Sequence, residues 1–277
     1  MRNFARLALV ALLAPAALAD QVNGREVPPG TPTTGVKLHF LPDYDSLPPL
    51  AKRGDSSQGW KIHDMKRPLP RQVAVPELPS QPAPADALAL FDGTQASIQA
   101  NFVNQKWKAK DGAVVAVHGD QTTRKAFGDC QLHVEWRALD ANHPNMCNSG
   151  VIFMGGRYEI QIMDSNPCNV IPADGGAAAV YGWMPPLVNP IQPAGKWNTY
   201  DIVFHRPRFD AKGACVQKTR VTILFNGMLV QDNTEFPGPT SWDQRLPYRA
   251  HADKLPLSLQ DHGGGVEFRN VWVRDLE

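Results

Sequence analysis

The sequence predicts an all-β fold, a two-sheet antiparallel sandwich that follows an irregular, Pro-rich N-terminal arm. From residue 88 onward, short runs rich in Val, Ile, Phe, Trp and Tyr alternate with clusters of Gly, Asn, Asp and Pro. This alternation is typical of short strands joined by turns. No segment shows convincing helical amphipathicity, and the sequence contains no internal repeat. About ten strands in a single domain favour two packed antiparallel sheets.

The predicted strands are apolar or alternating runs bounded by turn residues. In chain order they cover residues 88–91, 113–117, 130–138, 150–154, 157–163, 199–205, 220–225, 228–231, 257–260 and 266–273. Asn226-Gly227 separates two of these runs. Because both residues tolerate positive φ, the pair predicts a two-residue hairpin turn.

The N-terminal residues 1–19 have the features of a secretory signal peptide. Arg2 and Arg6 precede a short apolar run, and Ala17-Leu18-Ala19 supplies a cleavage motif. No later segment approaches the roughly 20 apolar residues that a membrane-spanning helix needs. We therefore expect a periplasmic or secreted protein that begins at Asp20 and does not span a membrane.

The next segment, 20–87, is predicted to be an extended arm or linker in front of the domain at 88–277. It contains 12 of the 25 prolines and lacks the apolar periodicity that a core requires. Within it, segment 59–68 contains a Trp, an Ile and a Met close together, which predicts that it docks on the domain. His63 and Asp64 could reach a functional site from there, but docking alone is the favoured interpretation.

Charge and cysteine content limit the possible partners and the compartment. The chain has 28 Lys and Arg against 27 Asp and Glu, so nothing favours a nucleic acid or an anionic membrane surface as partner. Its four cysteines form an even number in an oxidising compartment, which predicts at least one disulfide among three possible pairings. Cys147 with Cys168 would close a loop of about 20 residues; four unpaired thiols are the alternative.

Several predicted strands carry acid/base-capable side chains on the face opposite their apolar residues. On strand 157–163, Tyr158, Ile160 and Ile162 face one way and Glu159 and Gln161 the other. The same alternation exposes further polar side chains on other strands, namely His133, Glu135, Gln260 and His262. Lys is absent from these positions, which favours a functional site over an ordinary solvated face.

Two loops are predicted to border this polar face. One brings Asn148 to the start of a strand, and the other contains Tyr181 and Trp183. Aromatic faces stack on sugar C–H surfaces, so these rings would suit a carbohydrate cleft; covering one end of the core is the alternative. His262 precedes Gly263-Gly264-Gly265, where the backbone can approach a ligand closely.

An ordered set of motifs over residues 88–277 resembles a known family. The motifs are Leu90-Phe91-Asp92-Gly93-Thr94, Phe127-Gly128-Asp129, Leu132-His133-Val134-Glu135-Trp136-Arg137, Asn148-Ser149-Gly150-Val151, Tyr158-Glu159-Ile160-Gln161-Ile162-Met163-Asp164-Ser165, Trp197-Asn198-Thr199-Tyr200-Asp201-Ile202, Asn226-Gly227 with Val230-Gln231-Asp232-Asn233, and Leu259-Gln260-Asp261-His262-Gly263. This set is similar to the 3-keto-disaccharide hydrolase domain, also known as domain of unknown function 1080. The resemblance implies a concanavalin-like jelly roll that acts outside the cytoplasm on glycosides oxidised at C3.

A ketone at C3 acidifies the hydrogen on C2, so such a site needs a base, a group that polarises the ketone and an acid for the leaving oxygen. The predicted catalytic residues are Glu135 or Glu159 as the base and His262 as the acid or polariser. The predicted substrate-binding residues are Gln161, Asn148, Arg157, His133, Tyr181, Trp183 and Gln260. A divalent metal ion held by Glu135, Glu159, His133 and His262 is an alternative way to polarise the ketone.

Two other functions remain open from the residues. Glu159-x-Gln161-x-x-Asp164 has the spacing of the E-x-D-x-x-E motif of jelly-roll β-glucanases, but Gln161 cannot ionise and retaining cleavage needs two carboxyl groups about 5 Å apart. A non-catalytic carbohydrate-binding module would explain the fold and the aromatic residues, but it would give Glu135 and His262 no special role.

Overall fold

The computed structural model describes residues 21–22, 25–40 and 58–277; the predicted signal peptide 1–19 lies outside these residues. In chain order the strands are β1 (Gln21–Val22), β2 (Arg25–Glu26), β3 (His39–Phe40), β4 (Arg71–Gln72), β5 (Leu88–Phe91), β6 (Ala109–Lys110), β7 (Ala113–Val115), β8 (Gln121–Phe127), β9 (Cys130–Ala138), β10 (Ser149–Phe153), β11 (Tyr158–Ile162), β12 (Asn169–Val170), β13 (Val188–Asn189), β14 (Asn198–His205), β15 (Arg208–Phe209), β16 (Cys215–Gln217), β17 (Arg220–Phe225), β18 (Met228–Glu235), β19 (Leu255–Leu259) and β20 (Val266–Asp275). Among the described residues, one α-helix, α1 (Gln95–Asn101), and a 3₁₀ turn at Ala173–Gly175 complete the elements.

Two antiparallel sheets form the domain, as the fold-class prediction requires. The large sheet has the order β18-β17-β14-β9-β20-β7-β6, with β5 also paired to β20, and the small sheet has the order β11-β10-β19-β8. Their facing surfaces form one hydrophobic core, to which β9 contributes Val134 and Trp136 and β11 contributes Ile160. Phe153 of the small sheet stacks on Phe204 of the large sheet with ring centroids 4.2 Å apart, so the two sheets are packed directly against each other.

The alternation of apolar and polar residues places the longer strands as predicted, except β8; helix α1 and short strands such as β12, β13 and β15 were not predicted either. Strand β9 has the predicted bounds, and Asn226 and Gly227 have φ of 50° and 77°, which confirms the hairpin turn. Strand β8 was not predicted because its middle residues are polar and charged. Helix α1 was not predicted either; it is only seven residues long, and the Thr94 side chain caps it by accepting a hydrogen bond from the Ser97 amide.

The described part of the arm is docked on the domain. Strand β3 pairs in parallel with β12, and β4 pairs in parallel with β13. Ile62 and Met65 are buried, so segment 59–68 docks as predicted. Because backbone ladders and apolar contacts both hold the arm, its position relative to the domain is defined at several points along its length.

The predicted disulfide is wrong, since all four cysteines are unpaired. Cys147 is fully buried and its Sγ lies 3.3 Å from the Asp140 carbonyl, whereas Cys168 has its Sγ 3.9 Å from Asn169 Oδ1. Each of these two thiols therefore has a nearby polar oxygen as its neighbour and not a second cysteine. Within the described ranges, no helix has the length and apolar character that crossing a membrane requires.

Candidate functional site

A cavity of about 370 Å³ opens over one end of the small sheet. Its walls combine carboxyl, amide, imidazole and aromatic side chains, contributed by three separate parts of the chain. The lining residues are His63, Asn148, Glu159, Gln161, Met163, Pro172, Gly175, Tyr181, Ser241, Trp242, Gln260 and His262. Six of the residues predicted for the site are brought together here, namely Glu159, His262, Gln161, Asn148, Tyr181 and Gln260.

Strand β11 supplies the floor of the cavity by simple alternation. Tyr158, Ile160 and Ile162 are buried in the core between the sheets, whereas Glu159 and Gln161 point to the opposite face and line the cavity. The backbone of β11 is fixed on both sides, because it pairs with β10 and its Gln161 amide bonds the Ala179 carbonyl. The two polar side chains therefore project from a rigid strand.

Glu159 has the electrostatic character of an acid/base group. Removal from water, with a smaller contribution from the Asp120 charge, raises the pKa of its carboxyl from 4.5 to about 8. Burial and the Asp120 charge are the causes of this raised pKa, and no hydrogen bond from the described residues offsets them. Glu159 is also the one carboxylate among the described residues that line the cavity.

The neighbouring strand leaves room for the Glu159 side chain because residue 150 is a glycine. A Cβ on Gly150 would lie 2.5 Å from Glu159 Oε1 and 3.1 Å from its Cδ. Contacts under 3.0 Å between such atoms are not tolerated, so any larger residue at position 150 must displace the carboxyl group. Gly150 thus determines where the Glu159 carboxyl group lies.

Loops at the same end of the small sheet hold the amides and imidazole of the cavity. The Ser149 hydroxyl donates to the Gln260 carbonyl at 2.7 Å, and the Gln260 amide donates to the Gly150 carbonyl at 2.9 Å. The Asn145 side-chain amide donates to the His262 carbonyl. These bonds tie the segment after β19 to the start of β10 and the loop before it, so that Asn148, Gln260 and His262 share one rim.

An aromatic wall made of Tyr181 and Trp242 borders the cavity, with the His63 ring beside it. The His63 ring lies 5.0 Å from the Tyr181 ring and 5.1 Å from the Trp242 ring. Sequence reasoning favoured docking alone for His63 and missed Trp242. The available signal for Trp242 was a lone Trp within a Pro- and Gly-rich loop, where an aromatic residue has no strand to bury it.

Glu135 and His133 lie elsewhere, so the prediction that they share a face with Glu159 is wrong. Both are on β9 in the large sheet, whereas Glu159 is on β11 in the small sheet. They point away from the core between the sheets, and the arm covers them: the Ser80 hydroxyl donates to Glu135 Oε1 at 2.5 Å. Strand alternation predicts which face of a strand a side chain is on, but not which sheet the strand joins. For this reason the polar residues of β9 and those of β11 looked equivalent in the sequence.

The environment of Glu135 is that of a buried structural anion. Burial alone would raise its pKa, but hydrogen bonds from His133, Asn270 and Ser80, together with Arg269, outweigh it and lower the pKa to about 2. Burial likewise opposes the charge on His133, but hydrogen bonds to Asp201 and Glu135 raise the pKa of His133 to about 9. A carboxylate with such a low pKa is a weak base, so the geometry does not support Glu135 as the proton acceptor.

Trp183 and Arg157 were predicted to bind substrate, but they do not line the cavity. Trp183 is 7 % exposed and belongs to the hydrophobic core, with its Nε1 donating to the Pro239 carbonyl at 3.1 Å and Arg245 over its ring. The Arg157 guanidinium donates to the Met154 carbonyl at 2.8 Å and closes the turn between β10 and β11. Both residues therefore have structural roles, because their polar groups bond to backbone carbonyls.

The predicted metal set is wrong as a set, since Glu135 and His133 lie on one sheet and Glu159 and His262 at the cavity of the other. Within the described residues, no group of three or more His, Cys, Asp or Glu side chains is arranged to hold a metal ion.

Comparisons with known proteins place the chain among glycoside-acting domains. A family described as the 3-keto-alpha-glucoside-1,2-lyase-like domain matches residues 86–274. A solved structure of a provisionally named glycosyl hydrolase from Parabacteroides distasonis ATCC 8503 is similar at 31% identity, covering 70% of this chain and 86% of that chain, with a TM-score of 0.61. A second such protein from the same organism has 20% identity, covers 69% of this chain and 99% of its own, and has a TM-score of 0.49. A search of curated proteins finds no match.

Proposed function

Because the chain belongs to the 3-keto-alpha-glucoside-1,2-lyase-like domain family, we propose that it cleaves glycosides oxidised to a ketone at C3, using the cavity over the small sheet. The observation that carries the proposal is Glu159. It is a cavity-lining carboxyl group whose pKa of about 8 suits proton transfer near neutral pH. As part of the same proposal, the protein works outside the cytoplasm.

In the proposed reaction, ionised Glu159 removes the proton from C2 of the sugar. The electron pair of the C2–H bond forms a C1–C2 double bond while the C1–O bond breaks, and the leaving oxygen takes a proton from an acid. Addition of water to the resulting unsaturated ketone completes a hydrolysis; without it the net reaction is an elimination. A raised pKa makes Glu159 a stronger base than an ordinary carboxylate, which favours removal of a weakly acidic C–H proton.

The other cavity groups suit the remaining roles. His262, on the exposed rim, is placed to donate a proton to the leaving oxygen or a hydrogen bond to the C3 oxygen. The side-chain amides of Asn148, Gln161 and Gln260 offer both donors and acceptors for sugar hydroxyls. This set fits an α-proton abstraction better than conventional retaining hydrolysis, because that mechanism needs two carboxyl groups and the described cavity lining contributes one.

The test is to incubate the purified protein in D₂O with a 3-keto-glucoside and with the matching unoxidised glucoside, with and without a chelator, and to follow both by NMR. We expect cleavage of the 3-keto-glucoside alone, with loss of its C2 hydrogen: a hydrolysis product carries deuterium at C2, and an elimination product has a C1–C2 double bond. Glu159→Gln should abolish both, whereas Glu135→Gln, the matched control on the other sheet, should keep turnover per folded molecule. Cleavage of the unoxidised glucoside, or full turnover by Glu159→Gln, would disprove the proposal.

A further inference from the structure

The arm segment 58–67 is anchored beside the cavity by contacts to the domain. The Arg67 guanidinium donates to the Trp183 carbonyl at 2.9 Å and to Gln58 Oε1 at 2.9 Å. Ile62 and Met65 are 1 % and 3 % exposed. This part of the arm is therefore packed into the domain next to the cavity.

His63 sits at the centre of this segment and is bound twice to one carboxylate. Its backbone amide donates to Asp174 Oδ2 at 3.1 Å, and its Nδ1 lies 3.0 Å from Asp174 Oδ1. Its φ is +51°, in the left-handed region that non-glycine residues adopt rarely and that Asn and His tolerate better than most. The backbone conformation and the double bond to Asp174 together fix the direction of the imidazole ring.

Asp174 is buried in the 3₁₀ turn that leads to the aromatic wall. Burial opposes its charge, but His63 and the Arg67 charge outweigh this and lower the pKa of Asp174, so it stays an acceptor for both His63 bonds. The Asp174 carbonyl also accepts from the Gly182 amide at 2.9 Å. The His63–Asp174 pair is thus joined to the residue that follows Tyr181.

Trp242 contacts both an apolar cluster and the His63 ring. The indole packs against the apolar cluster Met146, Met163 and Ile171, and its ring lies 5.1 Å from the His63 ring. The His63 side chain is itself only 1 % exposed, whereas Tyr181 and Trp242 are partly exposed in the cavity. His63 is consequently suited to hold the wall and not to carry out chemistry.

We propose that His63 is a positioning residue: bound to Asp174, it holds Tyr181 and Trp242 as the aromatic wall against which a ring of the glycoside substrate packs. The arm is then a working part of the site. This inference rests on the proposed function for the identity of the substrate, but the geometry of the wall does not depend on which bond is cleaved. Sugar rings present C–H surfaces that pack on aromatic faces, so a sugar ring suits the wall formed by Tyr181 and Trp242.

The test uses His63→Asn in the full chain. Asn keeps a donor near the position of Nδ1 and tolerates the left-handed backbone, but it removes the ring beside Trp242. We expect KM for the 3-keto-glucoside, and the Kd for the unoxidised glucoside by calorimetry, to rise about tenfold with kcat nearly unchanged. Lys66→Ala, on the exposed side of the same segment, is the matched control and should leave both constants unchanged.

A double-mutant cycle shows whether His63 acts through Trp242. If it does, His63→Asn should add little to the effect of Trp242→Ala. Additive effects, or unchanged KM and Kd in a folded His63→Asn variant, would overturn the inference. If a thermal melt shows that His63→Asn does not fold, Asp174→Asn serves in its place, because it misdirects the His63 ring and keeps the side-chain volume. Asp174→Asn should then raise KM and Kd. Unchanged KM and Kd in this variant would equally overturn the inference.

These outcomes separate the two proposals. Wild-type turnover of the 3-keto-glucoside together with unchanged constants in His63→Asn would reject the positioning role alone. No turnover by the wild type, combined with glucoside binding that His63→Asn weakens, would reject the cleavage reaction and support the wall. A wild-type protein that neither cleaves nor binds either glycoside would reject both.

Discussion

Replacing Glu159 by Gln should make the folded protein more stable at neutral and alkaline pH while it removes activity. The carboxyl group is poorly solvated in the folded state and fully solvated in the unfolded chain. Its pKa is therefore raised from 4.5 to about 8 on folding. Gln has nearly the same shape but does not ionise, so the substitution removes the free-energy cost of keeping this ionisable group in a poorly solvated site.

The sign and size of the effect follow from proton linkage. Between pH 4.5 and about 8 the folded state keeps a proton that the unfolded state has lost, so this group's contribution to stability falls as pH rises through that range. At about 1.4 kcal/mol per pKa unit, the loss reaches about 3 kcal/mol at pH 7. Because the cavity is open to water, we expect Glu159→Gln to gain roughly 1 to 2 kcal/mol at pH 7, and nothing at pH 4.

The assay is urea denaturation of both proteins at pH 4, 7 and 9, with turnover of the 3-keto-glucoside measured in parallel. The gap between the two unfolding free energies should open as pH rises from 4 to 7 and level off above about 8. A gap that does not change with pH, or a variant that is less stable at pH 7, would refute the raised pKa and with it the argument for Glu159 as the base.

Three further results are expected. Gly150→Ala should lower kcat at least tenfold with little loss of stability, because the new Cβ would lie 2.5 Å from Glu159 Oε1 and the flexible carboxyl end can move aside; unchanged kcat at constant melting temperature contradicts this. Asp120→Asn should move the rising limb of the kcat/KM–pH profile to lower pH, since the Asp120 charge raises the pKa of Glu159; an upward shift would exclude that coupling. Glu135→Gln should cost about 3 kcal/mol in urea unfolding at pH 7, because it removes the buried carboxylate bonded to both Arg269 and His133, and His133 keeps Asp201 as its other acidic neighbour. The cost should decline at pH 10, above the folded-state pKa of His133 of about 9, and a cost independent of pH would exclude the ion pair.

The sequence alone determined the local structure of this protein. The alternation of Tyr158, Glu159, Ile160 and Gln161 determines which side chains of β11 face the core, because successive side chains of a strand point to opposite faces. Asn226-Gly227 determines the hairpin through its tolerance of positive φ. The ordered motifs over 88–277 also sufficed to predict the family and the sandwich fold.

The tertiary structure decided which polar strands share a site. Glu135 and Glu159 have the same alternating context in the sequence, yet β9 joins the large sheet and β11 the small one, and strand pairing across long separations is not encoded in a local pattern. The two glutamates consequently acquire opposite electrostatics: hydrogen bonds from His133, Asn270 and Ser80 of the arm lower the pKa of Glu135, and desolvation raises the pKa of Glu159. The place of His63 beside Trp242 was likewise decided by docking of the arm, because that contact joins residues far apart in the chain.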